Sequence, residues 1–454
     1  MIAGWIVCIA LLILGRALGA TFLVGLLGSF AFGATAVLSA GGATLPAYIV
    51  MTVLLLVAIA ANGKSWSNHI GAVFKNQPIA YLACLLSIYA IGSAYFMPRL
   101  FANEADVFVP YNGILIKVPL GPVSSNFNQS VYFLFDGLAF FMIAIVLAQG
   151  RVTDLRRAFL VWASINASLG LIDILAKIAG LGDVLSPIRT ASYVMLSDDV
   201  AGGFFRVVGG FPEASAYASA GALPSLGFAF TDWQLNNSRF SLALVIVLGT
   251  LLILSTSSTA YAGLGLLVFV YGLAVGFNFL RGRIFTHHVV LLVFLWTAST
   301  VLLALYLYDE HFMDPMVNML ANATINKGMS SSAIERGSWN ARSLSNFIET
   351  YGIGVGLGST RSSSWPISVL AQLGIVGAVG FGIAIAILAL SLVRSKQGEL
   401  RSLAASAAAA ALAGSAAGIF GGNGADPGMI FFIALAIASA SFASTGVQAQ
   451  LANT

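Results

Sequence analysis

The stretch that decides the fold class is PISVLAQLGIVGAVGFGIAIAILALSLV, residues 366–393, which contains no charged side chain. A transmembrane helix needs about 20 consecutive apolar residues, so this stretch is long enough to cross a bilayer. Similar apolar runs recur along the 454-residue chain, which is 59% hydrophobic and only 8% charged, with a mean hydropathy of +0.93. Soluble domains are about one quarter charged. The composition therefore excludes a soluble enzyme, a disordered chain, a disulfide scaffold and a nucleic-acid-binding protein. It predicts an all-α polytopic membrane protein.

Thirteen apolar spans are predicted to form membrane helices, within a single multi-pass membrane domain that covers residues 1–454. Their ranges are 2–15, 18–39, 45–62, 78–97, 128–149, 158–180, 213–231, 240–256, 259–280, 288–308, 366–393, 402–420 and 428–445. The first two spans could also form one broken hairpin or a single kinked element, which would leave twelve. Cys8 and Cys84 lie inside apolar runs, where we interpret them as small buried hydrophobic residues rather than a redox or metal-binding pair.

The basic residues predict the orientation, because lysine and arginine in short loops favour the cytoplasmic side of a membrane. Twelve of the 21 basic residues fall in loops that alternate onto one side of the predicted bundle. We expect that side, and with it the C-terminus, to be cytoplasmic. The other side then carries three long extracytoplasmic loops, residues 98–127, 181–212 and 309–365.

The largest of these loops, 309–365, is too long for a plain connector, and long structured loops often carry function. Ile334, Leu344, Phe347 and Ile348 could share one apolar face of a helix. We therefore predict an amphipathic helix near 333–349 that lies at the membrane surface.

Eight basic residues remain on the predicted outer side. For Arg99, Lys117, Arg189 and Lys327 we expect solvated loop charges. The other four, which are arginines, suggest recognition of an anion, because a guanidinium binds phosphate through two parallel hydrogen bonds. They are Arg206, Arg336, Arg342 and Arg361. Arginines near an outer membrane–water boundary suit a lipid-linked diphosphate.

Four acidic and histidine positions need separate interpretations. Asp173 and Lys177 lie four residues apart in one span, so we expect a self-satisfied ion pair in preference to a proton or ion relay. Asp136 is equally open to a structural and a functional interpretation. Glu213 follows a Gly- and Pro-rich stretch, where it could act as a general base or could orient Arg206. His311 has no ligand set at metal-binding spacing around it.

Three motifs resemble a known family. The stretch ERGSWNARSLSNFIETYGIGVGLGSTRSSSWPISVLAQLGIVG, residues 335–377, resembles the signature of the O-antigen ligase and Wzy-type polymerase superfamily, with Arg336 as its arginine and 354–358 as its glycine turn. GGFPEASAYA, residues 209–218, resembles a family segment at Glu213 and Ser215, although Ala214 replaces the usual proline. LSTSSTAYAG, residues 254–263, resembles a polar break common in the family.

One departure from the family pattern separates its two activities. Counting back from Gly374 and Gly377 places Ser363 where the ligases carry their proposed catalytic histidine, while Ser364 fits the next position. The resemblance therefore favours a polymerase of this fold over an O-antigen ligase that acts on lipid A core. A transporter or flippase for lipid-linked sugars is a rival from another class, but the chain shows no internal repeat of the kind that transporters carry. A purely structural scaffold would leave the outer arginines unexplained.

The resemblance implies a GT-C-like architecture in the bacterial inner membrane, with the active site facing the periplasm. It implies a glycosyltransferase that joins polyprenyl-diphosphate-linked oligosaccharides, such as undecaprenyl diphosphate derivatives, into exopolysaccharide or O-antigen, together with a possible chain-length regulator protein. Neither a metal nor another cofactor is expected. The residues implied to be catalytic are Glu213, Arg336 and Arg206. Those implied to bind diphosphate or glycan are Arg342, Arg361, Gly356, Gly358, Glu349 and Ser363.

Overall fold

A computed structural model describes most of the chain. It describes residues 2–40, 43–61, 65–111, 114–191, 195–196, 200–201, 204–282, 331–393 and 398–452, and four single positions between 283 and 330. The predicted span 288–308 lies, except for these four positions, outside the described residues, and His311 and Lys327 lie wholly outside them.

The described chain is helical apart from short hairpins. The helices are α1 Ile2–Ala17, α2 Thr21–Ser29, α3 Ala47–Ala61, α4 Ser65–Asn76, α5 Ile79–Leu100, α6 Ser124–Ala148, α7 Val152–Ile178, α8 Ala214–Ala216, α9 Leu223–Asn236, α10 Arg239–Leu254, α11 Ser258–Leu280, α12 Ser331–Glu349, α13 Trp365–Val393, α14 Glu399–Gly421 and α15 Met429–Ala452. A 3₁₀ turn covers Ser186–Ile188, and a π-helix, Tyr217–Ala222, joins α8 to α9. Three antiparallel hairpins pair β1 Ala36–Ala40 with β2 Ala43–Pro46, β3 Asp106–Tyr111 with β4 Ile114–Pro119, and β5 Val200–Ala201 with β6 Phe204–Phe205.

Six of the described helices are long and apolar enough to cross a membrane, namely α5, α6, α7, α11, α13 and α14. Four shorter apolar helices, α1, α3, α10 and the apolar part of α15, accompany them. The prediction of an all-α polytopic membrane protein is therefore confirmed.

The predicted span 18–39 is wrong. Only α2, nine residues long, forms a helix there, and it packs against α1 before the chain turns into the β1–β2 hairpin. Ala34, Ala36 and Val37 are fully buried. The segment is apolar because the protein covers it, which a hydropathy pattern cannot distinguish from contact with lipid.

The helix ends meet in two separate groups. At one end, Arg156 of α7 pairs with Asp232 of α9 at 2.7 Å, and Asn236 bonds to Ser402 of α14 at 3.0 Å. At the other end, Asn126 of α6 donates to the Leu357 carbonyl at 2.7 Å, and Trp365 of α13 donates to the Ala425 carbonyl at 3.0 Å. We call the second group the site end, because it gathers the loops predicted to carry function.

Small residues and aromatic rings pack the bundle. The alanine-rich α14 lies directly against α9, where a Cβ on Gly227 would stand 2.7 Å from the Ala409 carbonyl oxygen. Such close backbone approach is typical of helix packing in membranes. Near the site end, Phe381 of α13 contacts both Trp365 and Phe133 edge to face. These contacts hold the start of α13 in place beneath the loops.

Candidate functional site

A glycine turn inserts into a kink of α13. Gly374 interrupts the helix with φ of 60° and ψ of −156°, which frees the carbonyl groups before it. Two of these carbonyls accept hydrogen bonds from the turn: Val355 N donates to Ala371 O at 2.8 Å, and Gly356 N donates to Gln372 O at 2.9 Å. Below the kink, Ile375 N donates to Gly352 O at 2.9 Å. The glycine turn and the kink therefore form one joint.

The glycines of this turn face other helices. A Cβ on Gly356 would lie 2.5 Å from the Ser93 carbonyl oxygen of α5, and one on Gly358 would lie 2.6 Å from the Ser125 carbonyl oxygen of α6. Both glycines also have positive φ, which strains any L side chain. Their contacts give Gly356 and Gly358 a packing function in the joint. A role for them in binding substrate stays a prediction.

The predicted amphipathic helix is present as α12, and its polar face points inward. Ser343 and Asn346 are fully buried, whereas Ile334 and Ile348 are 65% and 72% exposed. Leu344 lies on the same exposed face. A soluble protein would bury the opposite face, so this arrangement suits a helix whose outer face contacts lipid and whose inner face lines a polar site.

Arg342 and Glu349 join α12 to the β3–β4 hairpin. The guanidinium of Arg342 pairs with the Glu349 carboxylate and donates to the Asp106 carbonyl oxygen at 2.7 Å. The same hairpin accepts a hydrogen bond from Arg361 N through the Phe108 carbonyl at 2.9 Å. Both side chains of the Arg342–Glu349 pair are thus engaged in holding the loops together.

The segment 359–364, which carries Arg361 and Ser363, is fixed from two sides. The side chain of Gln372 accepts from Gly358 N at 2.8 Å and donates to the Thr360 carbonyl at 2.7 Å. On the other side, Ser363 N donates to Asn340 Oδ1 of α12 at 2.7 Å. Neither Asn340 nor Gln372 was singled out from the sequence, because single amides carry no spacing signal.

Arg361 carries a positive charge with no direct partner among the described residues. Its side chain is largely buried, and its guanidinium forms no hydrogen bond or ion pair within the described part of the chain, with Nε enclosed by protein. Burial lowers the pKa of Arg361, and the charge of nearby Glu213 opposes this effect. The structure therefore brings together Arg361 of the large loop and Glu213 of the GGFPEAS segment, which are far apart in the sequence.

Glu213 lies at the start of a distorted helix. Its backbone is extended, and it immediately precedes α8 and the π-helix Tyr217–Ala222. The Ser215 hydroxyl donates to Glu213 Oε1, which fixes the carboxylate. π-Helical segments are uncommon and are frequent at functional sites.

Arg206 lies near the polar break before α11, since its charge acts on the hydroxyl of Tyr261. Arg336 of α12 is partly buried and forms no side-chain hydrogen bond or ion pair with any residue that the structure describes. Its proposed contact with diphosphate stays a prediction.

A buried ionic network holds the backbone that leads to Glu213. The Asp173 carboxylate accepts from Lys177 at 3.1 Å, from Arg189 at 2.8 Å and from Val208 N at 2.7 Å. Arg189 also donates to the Gly209 carbonyl at 2.6 Å. The predicted Asp173–Lys177 ion pair is confirmed.

The prediction that Arg189 is a solvated loop charge is wrong, since the residue is 8% exposed. It lies in the protein because Asp173 and Asp183 neutralise it there. This burial could not be predicted from the spacing of the residues, because a helix end and a turn separate the two partners from Arg189. Breaking such a buried pair by removing one partner costs about 3–5 kcal/mol.

Asp136 lies next to a second acid, Asp426, which no motif in the sequence indicated. Asp136 is buried in α6, and its carboxyl group lies close to that of Asp426 in the α14–α15 loop. Burial raises the pKa of Asp426. The contact between the two carboxyl groups ties the loop 422–428 to α6. The signal in the sequence was GGNGADPG, residues 421–428, an irregular polar stretch between two apolar spans.

Together, the fold and its loops define a polytopic membrane protein with a polar, charged site at one end of the helix bundle. Comparison of the chain with protein-family models and with curated proteins found no match. The resemblance to the O-antigen ligase and Wzy-type polymerase superfamily therefore rests on the motifs alone.

Proposed function

We propose that the protein is a membrane glycosyltransferase that polymerises polyprenyl-diphosphate-linked oligosaccharide repeat units into exopolysaccharide or O-antigen. The observation that carries this proposal is the largely buried Arg361 guanidinium, which has no hydrogen-bond or ion-pair partner among the described residues. A buried charge is costly unless it is paired, so a site of this kind favours an anionic ligand. A diphosphate supplies that charge together with acceptor oxygens that match the guanidinium.

In the proposed reaction, an acceptor sugar hydroxyl attacks the anomeric carbon of the donor glycan. The bond from that carbon to the diphosphate oxygen breaks, and its electron pair leaves with the polyprenyl diphosphate. Arg361, with Arg336 and Arg206, stabilises the charge that grows on the leaving group. The proton of the hydroxyl passes to Glu213, whose Oε2 accepts no hydrogen bond within the described part of the chain. Ser363 leaves the site without the histidine of the ligase pattern, which favours the polymerase over the ligase.

The proposal includes a location and an orientation. The substrate lipid would reach the site end from the outer leaflet of the bacterial inner membrane, and the opposite end, with the C-terminus, would face the cytoplasm. The charge pattern supports this orientation, because most basic residues in short loops fall at the opposite end.

The test replaces Arg361 by alanine and by lysine. We expect Arg361→Ala to abolish polymer longer than one repeat unit and to weaken binding of undecaprenyl diphosphate by at least about tenfold, because a charged hydrogen bond contributes ~1.5–3 kcal/mol. Arg361→Lys should recover only part of the polymer length and of the binding, since lysine cannot make the bidentate contact of a guanidinium. Polymer length is measured on gels from cells with equal protein levels, and binding is measured on purified protein.

Lys117→Ala is the matched control. Lys117 is a cation at the same end, but it is half exposed and pairs with Asp106 on the surface at 2.9 Å. Exposed ion pairs contribute little, so we expect wild-type polymer from this variant. Wild-type polymer from Arg361→Ala would refute the proposed function.

A further inference from the structure

The inward face of α12 carries polar atoms that have no hydrogen-bond partner in the described part of the chain. Ser343 Oγ and Asn346 Oδ1 make no hydrogen bond with any residue that the structure describes, and both residues are fully buried. One turn of helix separates them, so they lie on one face. Leaving such groups without partners costs free energy, and proteins retain few of them without a reason.

Asn346 contacts the residue that precedes Arg361. Asn346 Nδ2 donates to the hydroxyl of Thr360 at 3.4 Å, and Thr360 immediately precedes Arg361, whose Nε is the third unsatisfied atom in this region. Further along α12, Asn340 holds the segment that follows Arg361 through Ser363 N. The inner face of α12 and the segment 359–364 therefore form the two sides of one polar interface.

The chemistry of the unsatisfied atoms identifies a ligand class. Diphosphate oxygens only accept hydrogen bonds, so they suit Arg361 but not the oxygen of an amide. Sugar hydroxyls both donate and accept, as do the hydroxyl of Ser343 and the amide of Asn346. The guanidinium of Arg361 can therefore only donate hydrogen bonds, whereas Ser343 and Asn346 on α12 can both donate and accept them.

We propose that Ser343 and Asn346 bind hydroxyl groups of the sugar next to the diphosphate, and so contribute to the choice of glycan. This inference rests on the proposed function, in which Arg361 binds the diphosphate. The sugar enters between α12 and the segment 359–364 and takes up the hydrogen bonds that the free protein leaves unmade. Both are binding residues, and neither takes part in bond making.

The experiment uses the full-length purified protein and two probes. One probe is undecaprenyl diphosphate without sugar, and the other is the lipid-linked repeat unit extracted from cells that express Arg361→Ala. Asn346→Leu and Ser343→Ala are the variants, and Ser338→Ala, at an exposed position of the same helix, is the control.

We expect Asn346→Leu to raise the KM for the lipid-linked repeat unit by about tenfold, the loss of one to two hydrogen bonds, and Ser343→Ala to raise it less. The affinity for undecaprenyl diphosphate should change by less than about twofold in both. The melting temperature should change little, because each substitution removes an unsatisfied buried oxygen, and the bond to Thr360 that Asn346→Leu also removes is long at 3.4 Å. Ser338→Ala should match the wild type in every measurement.

Three results would overturn the inference. A melting temperature that falls together with activity would show that the two side chains only support the fold. An equal loss of affinity for the sugar-free probe would place them at the diphosphate. An unchanged KM in both variants would exclude a sugar contact. If Arg361→Ala instead keeps full affinity for undecaprenyl diphosphate, the proposed function fails, and that result is distinct from the other three.

Discussion

Arg342 and Arg361 belong to the same predicted loop, and the sequence assigned both to anion binding. The structure separates them by their partners. Arg342 is engaged by Glu349 and by the Asp106 carbonyl, whereas Arg361 has neither an ion pair nor a side-chain hydrogen bond among the described residues. Residue type and position therefore identify candidates, and only the three-dimensional contacts show which charge is available to a ligand.

The carboxylates of Glu213 and Glu349 also differ in their partners, so we expect different effects when each is replaced by glutamine. Glu213→Gln should retain donor binding but lower turnover by about 10²-fold or more, because it removes the proton acceptor and keeps the shape. Glu349→Gln should leave turnover near that of the wild type and weaken the contact with Arg342, a partly exposed pair that contributes about 1 kcal/mol or less. Single-turnover rates and donor binding are measured separately on the purified proteins. If donor binding and turnover fall together in Glu213→Gln, the carboxylate only orients the arginines.

At the scale of the element, the joint between the glycine turn and α13 decides where Arg361 lies. A Cβ at Gly374 would stand 2.3 Å from the Gly352 carbonyl oxygen, and the residue has positive φ. We expect Gly374→Ala to destabilise the protein by at least about 1–2 kcal/mol, since both the clash and the strained backbone oppose it.

Gly382→Ala provides the control within the same helix. Gly382 lies in open space, so alanine should stabilise α13 by up to about 1 kcal/mol through its higher helix propensity. Thermal unfolding in detergent measures both variants. Equal melting temperatures for the two would show that the joint does not hold the loop.

The elements of the structure also show which features could be predicted from the sequence. Long apolar runs such as 366–393 predicted helices correctly, because a membrane helix satisfies its own backbone. The outward apolar face of α12 followed from the spacing of Ile334, Leu344 and Ile348. The span 18–39 was wrongly predicted to cross the membrane, because its apolar residues are buried by other parts of the protein. The loop around Asp426 was not identified, because its neighbour Asp136 is far away in the sequence. Likewise, only the contacts of Asn346 and Gln372 with the segment 359–364 identify these two residues as part of the candidate site.

At the scale of the whole molecule, the proposed function requires the site end to face outside the cytoplasm, since the polymer is made there. The structure groups α12, the β3–β4 hairpin and the start of α13 at this end, and it groups Arg156, Asp232 and Ser402 at the other. Labelling of single cysteines tests which end is exposed, in a background where Cys8 and Cys84 are replaced by alanine.

Ser338→Cys, on the exposed side of α12, should react with a membrane-impermeant maleimide in intact spheroplasts. Arg239→Cys, exposed at the opposite end where α10 begins, should react only after lysis. The expected contrast follows from the lysines and arginines of the short loops, which favour the cytoplasmic side. The reverse pattern would place Arg361 and Glu213 in the cytoplasm, where no extracytoplasmic polymer is assembled, and would exclude the polymerase however well the site fits a diphosphate.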